Sequence, residues 1–195
     1  MTPQQIQEAL ASFIHPSYPE MEIRVEAWAD DPSRLAIYFR ETKFALLYPQ
    51  QRWHYLHHLI PAEFQERYLS SSVWFELAPG ESPSDLLYSD EEIVADITEP
   101  IMTILNKTSF FATLDEAFTH RENPAVCWGD FGTAKSILPT KGFVESEYFD
   151  VFSVLMAQGG YCDCEILLNV AHDSAFARRY WANRQTPPHR SEATP

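Results

Sequence analysis

The chain has 195 residues and a mass of 22.5 kDa, which fits one domain and is enough to bury a stable core without disulfide bonds. Fourteen Lys and Arg residues against 28 Asp and Glu residues give a formal net charge of −14. This charge disfavours binding to nucleic acids and to anionic membranes, and it indicates either a basic protein partner or simply good solubility. With 45% hydrophobic and 14% aromatic residues, the composition is typical of a folded globular protein.

The N-terminal half predicts a short helix followed by an antiparallel sheet. Residues 2–13 form the helix, because Pro3 suits a first turn and apolar residues follow at helical spacing. Apolar and polar residues then alternate with a period of two, which is typical of strands with one solvated face. Strands are predicted at residues 21–28, 35–39, 43–48 and 73–77, with a helix between Pro49 and Pro61.

The second half predicts mainly helices. Ser89 and Glu92 form a capping box at the start of one of them, and Pro100 is expected to kink or restart it. Residues 145–158 are apolar on nearly every side and predict a buried helix. Further helices are predicted after Thr108 or Ser109 and at residues 174–184, whereas residues 123–142 predict a long ordered loop.

The fold predicted from these elements is α+β, with a sheet of about four antiparallel strands packed against helices. We expect a single domain at residues 1–185, with a soft boundary near residues 106–110. The Pro-rich residues 186–195 predict a flexible tail.

The densest group of chemically distinctive residues lies at residues 159–170, where Gly-Gly-Tyr-Cys-Asp-Cys-Glu precedes an apolar run. The run predicts either a buried strand or a packed short helix, since its periodicity does not distinguish them. In an extended segment Cys162 and Cys164 face the same way, and two thiols on one side can bind a soft cation. Cys127 is the third candidate sulfur ligand, and His172 or else His120 is the candidate fourth ligand.

Zinc is therefore a candidate cofactor, but two other interpretations of the cysteines stay open. Free cysteines are often buried as small, inert core residues, and exposed thiols can act as nucleophiles or redox groups. Asp163 and Glu165 are anions that raise the pKa of neighbouring thiols and favour a bound cation. The local charge therefore favours metal binding over thiol chemistry.

The stretch Gly-Gly-Tyr-Cys-Asp-Cys-Glu-Ile-Leu-Leu-Asn-Val resembles the C-terminal signature of a bacterial domain family of unknown function. The resemblance extends over about residues 114–170 and implies no activity. It implies that Cys162, Asp163, Cys164 and Glu165 act as one unit, within a motif that begins with Gly159 and Gly160. Members of this family often carry an upstream Cys-Asp-His step, whereas Cys127 is followed here by Trp128 and Gly129.

Two other stretches hold candidate functional residues. His54 and His58 are spaced for metal binding on a helix, but the favoured interpretation is a polar helix flank beside an apolar stripe. Residues 68–106 contain no Lys or Arg, and their acids are interpreted as a solvated face, as a surface for a basic partner, or as paired carboxylates for acid–base catalysis. These acids are Glu76, Glu81, Asp85, Asp90, Glu91, Glu92, Asp96 and Glu99.

The sequence thus leaves three hypotheses for function. The first is a non-enzymatic protein-binding or regulatory module, the second is a structural zinc module, and the third is an enzyme with its site at the Cys-Asp-Cys-Glu turn. Enzymatic activity is the less favoured option, because the sequence lacks a Gly-rich phosphate loop and a Gly-x-Ser-x-Gly motif. The first residues lack the pattern of a secretory signal, so we expect a cytoplasmic protein with reduced cysteines.

Overall fold

The computed structural model describes residues 1–185, and the predicted tail at 186–195 lies outside them. The chain divides into two compact units, Met1–Tyr88 and Ser89–Pro195. The division falls at Tyr88, and the predicted soft boundary at residues 106–110 coincides with a junction between two helices of the second unit. A single folding domain stays a prediction.

The first unit contains a three-stranded mixed sheet in the order β1-β2-β3. β1 and β2 pair antiparallel, whereas β2 and β3 pair parallel. A parallel pair needs a long crossover connection, and helices supply it between β2 and β3. The bounds of the strands are Glu22–Ala27 for β1, Leu35–Arg40 for β2 and Ser72–Leu77 for β3.

The α+β class is confirmed, but the prediction of four antiparallel strands is wrong. Residues Thr42–Leu46 form a 3-10 turn in place of the strand predicted at 43–48. The Glu41 carboxylate accepts the backbone N–H of Lys43 and thereby caps this turn. Phe44 is buried and Leu46 is exposed, so the apolar residues of this stretch do not share one face.

Helices cover the core-facing side of the sheet, where Ile37 and Phe39 are fully buried. α1 begins after a capping box formed by Thr2 and Gln5, which satisfies the free N–H groups of its first turn. The helices of the first unit are α1 at Pro3–Ile14, α2 at Pro49–Leu59 and α3 at Ala62–Phe64, which continues as a π-helical turn at Gln65–Leu69.

The second unit is helical. Its elements are α4 at Glu91–Lys107, α5 at Phe110–Thr119, α6 at Gly132–Ile137, α7 at Tyr148–Ala157, α8 at Asp163–Glu165 and α9 at Ala175–Gln185. Asp90, rather than Ser89, caps α4, because its carboxylate accepts the N–H groups of Glu92 and Ile93. Pro100 lies inside α4, which continues through it to Lys107.

α7 is the most deeply buried helix of the second unit in the described part of the chain, as its apolar sequence predicts. Its Phe152 ring stacks on Phe131 with ring centroids 4.2 Å apart. Phe131 immediately precedes α6. The prediction of a loop at residues 123–142 is wrong for Gly132 to Lys141, because these residues are helical. None of the described helices is both long and apolar enough to cross a bilayer.

The start of α9 is held by a carboxylate from another helix. Asp115 of α5 accepts the Ser174 hydroxyl at 2.8 Å and the N–H groups of Ala175 and Phe176 at 2.9 Å each. Burial opposes the charge, but the hydrogen bonds from Phe176, Ser174 and Ala175 outweigh it and lower the pKa of Asp115. The ionised form is therefore the one that stabilises the fold.

Asp115→Ala is expected to lower the free energy of unfolding by about 1–2 kcal/mol at pH 7, the usual effect of losing a helix cap. Because the folded-state pKa is lowered, the stabilisation is present above the unfolded pKa of about 3.9 and disappears as the pH falls through the folded value. Urea unfolding at pH 7 and at about pH 3 measures both effects. Glu116→Ala, at the exposed neighbour, is the control, and an equal loss in both variants would contradict the prediction.

Candidate metal centre

Two distant segments bring the three cysteines of the chain together. Cys127 lies in the loop between α5 and α6, and Cys162 and Cys164 lie at the start of α8. The three sulfur atoms all lie within 4.8 Å of one another, and the Sγ atoms of Cys162 and Cys164 are 3.3 Å apart. All three are free thiols; Cys162 is buried and the other two are partly exposed.

The segment after Gly160 is helical, which resolves the choice between a strand and a short helix. α8 covers Asp163–Glu165 and continues as a π-helical turn at Ile166–Val170. Cys162 precedes the first turn in an extended conformation, with φ −157° and ψ 172°. This single extended residue lets the two thiols approach each other although the chain is helical from Asp163 onward.

The double glycine ends α7 and turns the chain towards α8. Gly159 has a φ of 86°, and its N–H donates to the Met156 carbonyl while the Gly160 N–H donates to the Leu155 carbonyl. This is a Schellman motif, which favours glycine at the left-handed position. The Asn169 side chain donates to the Gly159 carbonyl at 2.8 Å, so the turn is tied back to the end of the motif.

Gly160 is required for packing rather than for its backbone conformation. A Cβ atom at this position would lie 3.0 Å from side-chain carbons of both Ile166 and Val170. We expect Gly160→Ala to lower the free energy of unfolding by about 1–3 kcal/mol through overpacking. Chemical denaturation measures this loss. Gly142→Ala is the comparison, because its left-handed φ of 91° adds strain in open space; a neutral effect of Gly160→Ala would contradict the prediction.

Both acids of the motif accept hydrogen bonds from backbone N–H groups. Asp163 is buried, and its carboxylate accepts the N–H groups of Thr133 at 2.7 Å and Ala134 at 3.0 Å, at the start of α6. Its own N–H donates to the Asp130 carbonyl at 3.0 Å. Burial raises the pKa of Asp163 to about 6. Asp163 therefore ties the cysteine turn to the loop that carries Cys127.

Glu165 closes the turn on the other side. Its carboxylate accepts the Tyr161 N–H at 3.0 Å. Every member of the predicted unit thus has a defined contact, from the glycines of the turn to the thiols and the two carboxylates. The sequence indicates neither carboxylate contact. The partners of Asp163 lie about 30 residues earlier in the chain, and the Tyr161 N–H faces Glu165 only because of the turn that the structure shows.

The pKa values of the three thiols are shifted in different directions. Hydrogen bonds from the Cys162 and Cys164 thiols and from the N–H groups of Cys164 and Gly129 hold the pKa of Cys127 well below its usual range. Donation to Cys127 raises the pKa of both Cys162 and Cys164. The expectation that anions raise thiol pKa values concerned Cys162 and Cys164, and the charge of Glu165 does contribute to the raised pKa of Cys164.

The candidate fourth ligands lie apart from the sulfur group. Within residues 1–185, the potential ligands that come together are the three cysteines; His172 is exposed and is not among them. His120 is also exposed, and its Nδ1 accepts the Asn123 N–H at 3.2 Å. A role for His172 stays a prediction.

His54 and His58 lie on the exposed side of α2 with ring centroids 4.3 Å apart. His58 Nδ1 bonds to the His54 carbonyl at 2.7 Å, so that nitrogen carries the proton. No third potential metal ligand joins the pair in the described part of the chain. The interpretation as a polar helix flank accounts for both residues.

The predicted acidic partner surface is not uniform. Glu76 is fully buried, so its placement on that surface is wrong, and Glu81 is partly buried in an ion pair with Arg52. The acids exposed in the structure are Asp85 in the first unit and Asp90, Glu91, Glu92, Asp96 and Glu99 in the second. Of these, Asp85 accepts the Ser82 N–H, and Asp90 caps the start of α4. A basic protein partner stays a prediction.

Residues 118–169 match a family described as protein of unknown function (DUF2695). This segment runs from the end of α5 to the π-helical turn and contains all three cysteines together with their supporting contacts. The resemblance noted in the sequence is thereby confirmed for less than half of the chain. No curated protein and no solved structure is similar to the chain.

Proposed function

We propose that the segment at residues 118–169 is a metal-binding module that holds one thiophilic ion, with zinc as the expected metal, through Cys127, Cys162 and Cys164. The observation that supports this most directly is the approach of three sulfur atoms to within 4.8 Å from two segments that are far apart in sequence. Thiolate groups are the preferred ligands of zinc and of other soft cations.

The spacing of the sulfurs suits such an ion. Zinc–sulfur bonds of about 2.3 Å in a tetrahedron separate neighbouring sulfurs by about 3.8 Å. The Sγ atoms of Cys162 and Cys164 are 3.3 Å apart, so this pair would have to open by about 0.5 Å to hold such an ion.

The surroundings also favour bound thiolates. The N–H groups of Cys164 and Gly129 donate to Cys127, and donors of this kind stabilise sulfur ligands that carry negative charge. A second and a third negative charge on the neighbouring sulfurs are unfavourable without a cation, because like charges in a confined site repel each other. A bound divalent cation removes this repulsion.

The function we infer for the ion is structural. It would cross-link the loop before α6 to the start of α8, the same two segments that Asp163 joins. Binding energy of this kind adds directly to folding energy. Three cysteines leave one tetrahedral position for water, an external ligand or the predicted His172.

The test is metal content and stability of the purified, reduced protein. We expect about one equivalent of zinc, and a fall in melting temperature when a strong chelator removes it. Cys127→Ser, Cys162→Ser and Cys164→Ser should each lower the zinc content, whereas Ser136→Ala should not. Cobalt substitution should produce the sulfur-to-metal absorption of a thiolate site. The proposal would be overturned if the purified protein contained no metal and its melting temperature changed neither with added zinc nor with chelator.

A second variant assigns the remaining position. His172→Ala is expected to leave zinc content unchanged if water or an external ligand completes the site. A weaker zinc affinity in this variant, without a loss of stability in the metal-free state, would instead assign His172 as the fourth ligand.

A further inference from the structure

A small pocket of about 340 Å³ lies beside β3 in the first unit, and none of the cysteines lines it. Three aromatic side chains line it, Trp53 from α2, Trp74 from β3 and Tyr88. Glu76 also lines it, and the rest comes from Arg34, Ser72 and Val73. This volume is at the lower end of the range for small-molecule sites.

Glu76 is an unusual residue for the wall of such a pocket. It lies two residues after Trp74 on β3, so both side chains are on the same face of the sheet. The residue is 0% exposed, and its Oε2 accepts the Tyr88 hydroxyl at 2.7 Å. Its Oε1 is buried without a hydrogen-bond partner among the residues that the structure describes.

The nearby cation does not satisfy this oxygen. Arg52 donates to the backbone carbonyl of Glu76 at 2.8 Å and to both carboxylate oxygens of Glu81. An unsatisfied buried acceptor costs about 1–3 kcal/mol. A ligand that donates a hydrogen bond to Oε1 would recover this cost, so the pocket favours a donor.

The chemistry of the walls selects the ligand. A carboxylate accepts hydrogen bonds and attracts positive charge, and the faces of Trp and Tyr rings attract organic cations. Metal ions such as calcium or magnesium need several oxygen ligands, whereas this pocket offers one carboxylate. We propose that the pocket binds an alkylammonium group, with Glu76 Oε1 accepting an N–H and the rings of Trp53 and Trp74 enclosing the alkyl chain.

Because Glu76 is fully buried, a ligand reaches Oε1 only when a neighbouring side chain moves, and Tyr88, which contacts the other oxygen of the carboxylate, is the candidate. Tyr88 is 46% exposed and Trp53 is 42% exposed. The hydroxyl bond to Glu76 holds Tyr88 in place. Burial raises the pKa of Glu76, and an ammonium group beside it favours the ionised carboxylate in return.

Arg34 limits which amines fit. Its Nε donates to the Ser71 carbonyl at 3.0 Å, and its guanidinium lies 4.9 Å from the centre of the Trp28 ring. A fixed positive charge in the lining disfavours a second positive charge on the ligand. The pocket should therefore prefer monoamines to diamines, and Arg34→Gln should reduce that preference.

The test is titration of the full chain with n-butylammonium, followed through the indole N–H resonances of the tryptophans. We expect saturable shifts with a Kd on the order of 1 mM, the range for a ligand of this size. Glu76→Gln preserves shape and removes the charge, and it should weaken binding about tenfold or more. Circular dichroism of the variant establishes that it is folded.

Three further probes complete the design. Nα-acetyl-lysine methylamide presents the same group as a lysine side chain, 1-butanol lacks the charge, and 1,4-diaminobutane adds a second one. Binding of butylammonium alone supports a free amine as the ligand, and binding of the lysine derivative supports a lysine side chain. Equal binding of butanol, equal affinity in folded Glu76→Gln, or no saturable binding of either amine would overturn the proposal.

Discussion

Arg52→Ala is expected to lower the free energy of unfolding of this protein by about 3–5 kcal/mol, because it removes a buried guanidinium that pairs with the partly exposed Glu81 and satisfies two backbone carbonyls. Arg52 is 4% exposed, and its guanidinium donates to both carboxylate oxygens of Glu81, at 2.5 and 3.0 Å. It also donates to the carbonyls of Leu47 and Glu76. One side chain thus joins α2, β3 and the turn after β3.

The loss in this variant has two physical sources. Truncation leaves buried carbonyl acceptors unsatisfied, and it removes the hydrogen bonds from Arg52 that lower the pKa of Glu81. Urea unfolding measures the change, with the m-value serving as a check on two-state behaviour.

Two further variants distinguish this network from ordinary surface charge. Arg24→Ala is the control, because Arg24 pairs with Glu26 at 3.5 Å with both side chains largely exposed, and its loss should change stability by about 0.5 kcal/mol or less. Arg52→Lys keeps the charge but cannot reproduce the forked contact, so it should recover only part of the loss. Equal effects of Arg24→Ala and Arg52→Ala would contradict the assigned role.

The Arg52 network also marks a limit of prediction from sequence. Glu76 and Glu81 lie in a stretch without cations, which is typical of a solvated face. Their partner Arg52 is 24 to 29 residues earlier in the chain, and no local pattern connects them. The strands around them were predictable because period-two alternation is local, whereas the parallel pairing of β2 with β3 depends on a crossover that periodicity does not encode.

At the cysteine site, too, some features could be predicted from local sequence and others could not. The unit from Gly159 to Glu165 could be predicted, because the glycine turn and the end of the apolar helix α7 have local signatures. The approach of Cys127 was a hypothesis from composition, since it is the third thiol of the chain. The role of Asp163 was missed because α6, whose first N–H groups it accepts, was predicted as a loop.

Asp163→Ala should therefore affect both the fold and the metal site. It removes the acceptor of the Thr133 and Ala134 N–H groups, of which the second bond is fully buried. Each unsatisfied buried donor costs about 1–3 kcal/mol, so we expect a loss of about 2–5 kcal/mol in the metal-free protein. Asp163→Asn keeps one carbonyl oxygen and should lose less.

The same variants should weaken zinc binding beyond their effect on folding. Asp163 orients the loop of Cys127 against the turn of Cys162 and Cys164, and residues that orient ligands usually contribute about 10- to 100-fold to metal affinity. Competition with a chromophoric chelator, at pH 7 and without denaturant, measures the zinc Kd of the folded Asp163→Asn variant. Glu145→Gln, at an exposed acid of the same unit, is the control. If Asp163→Asn binds zinc as tightly as Glu145→Gln while its stability falls, Asp163 supports only α6, and the sulfurs are positioned by the Schellman turn and by α8 alone.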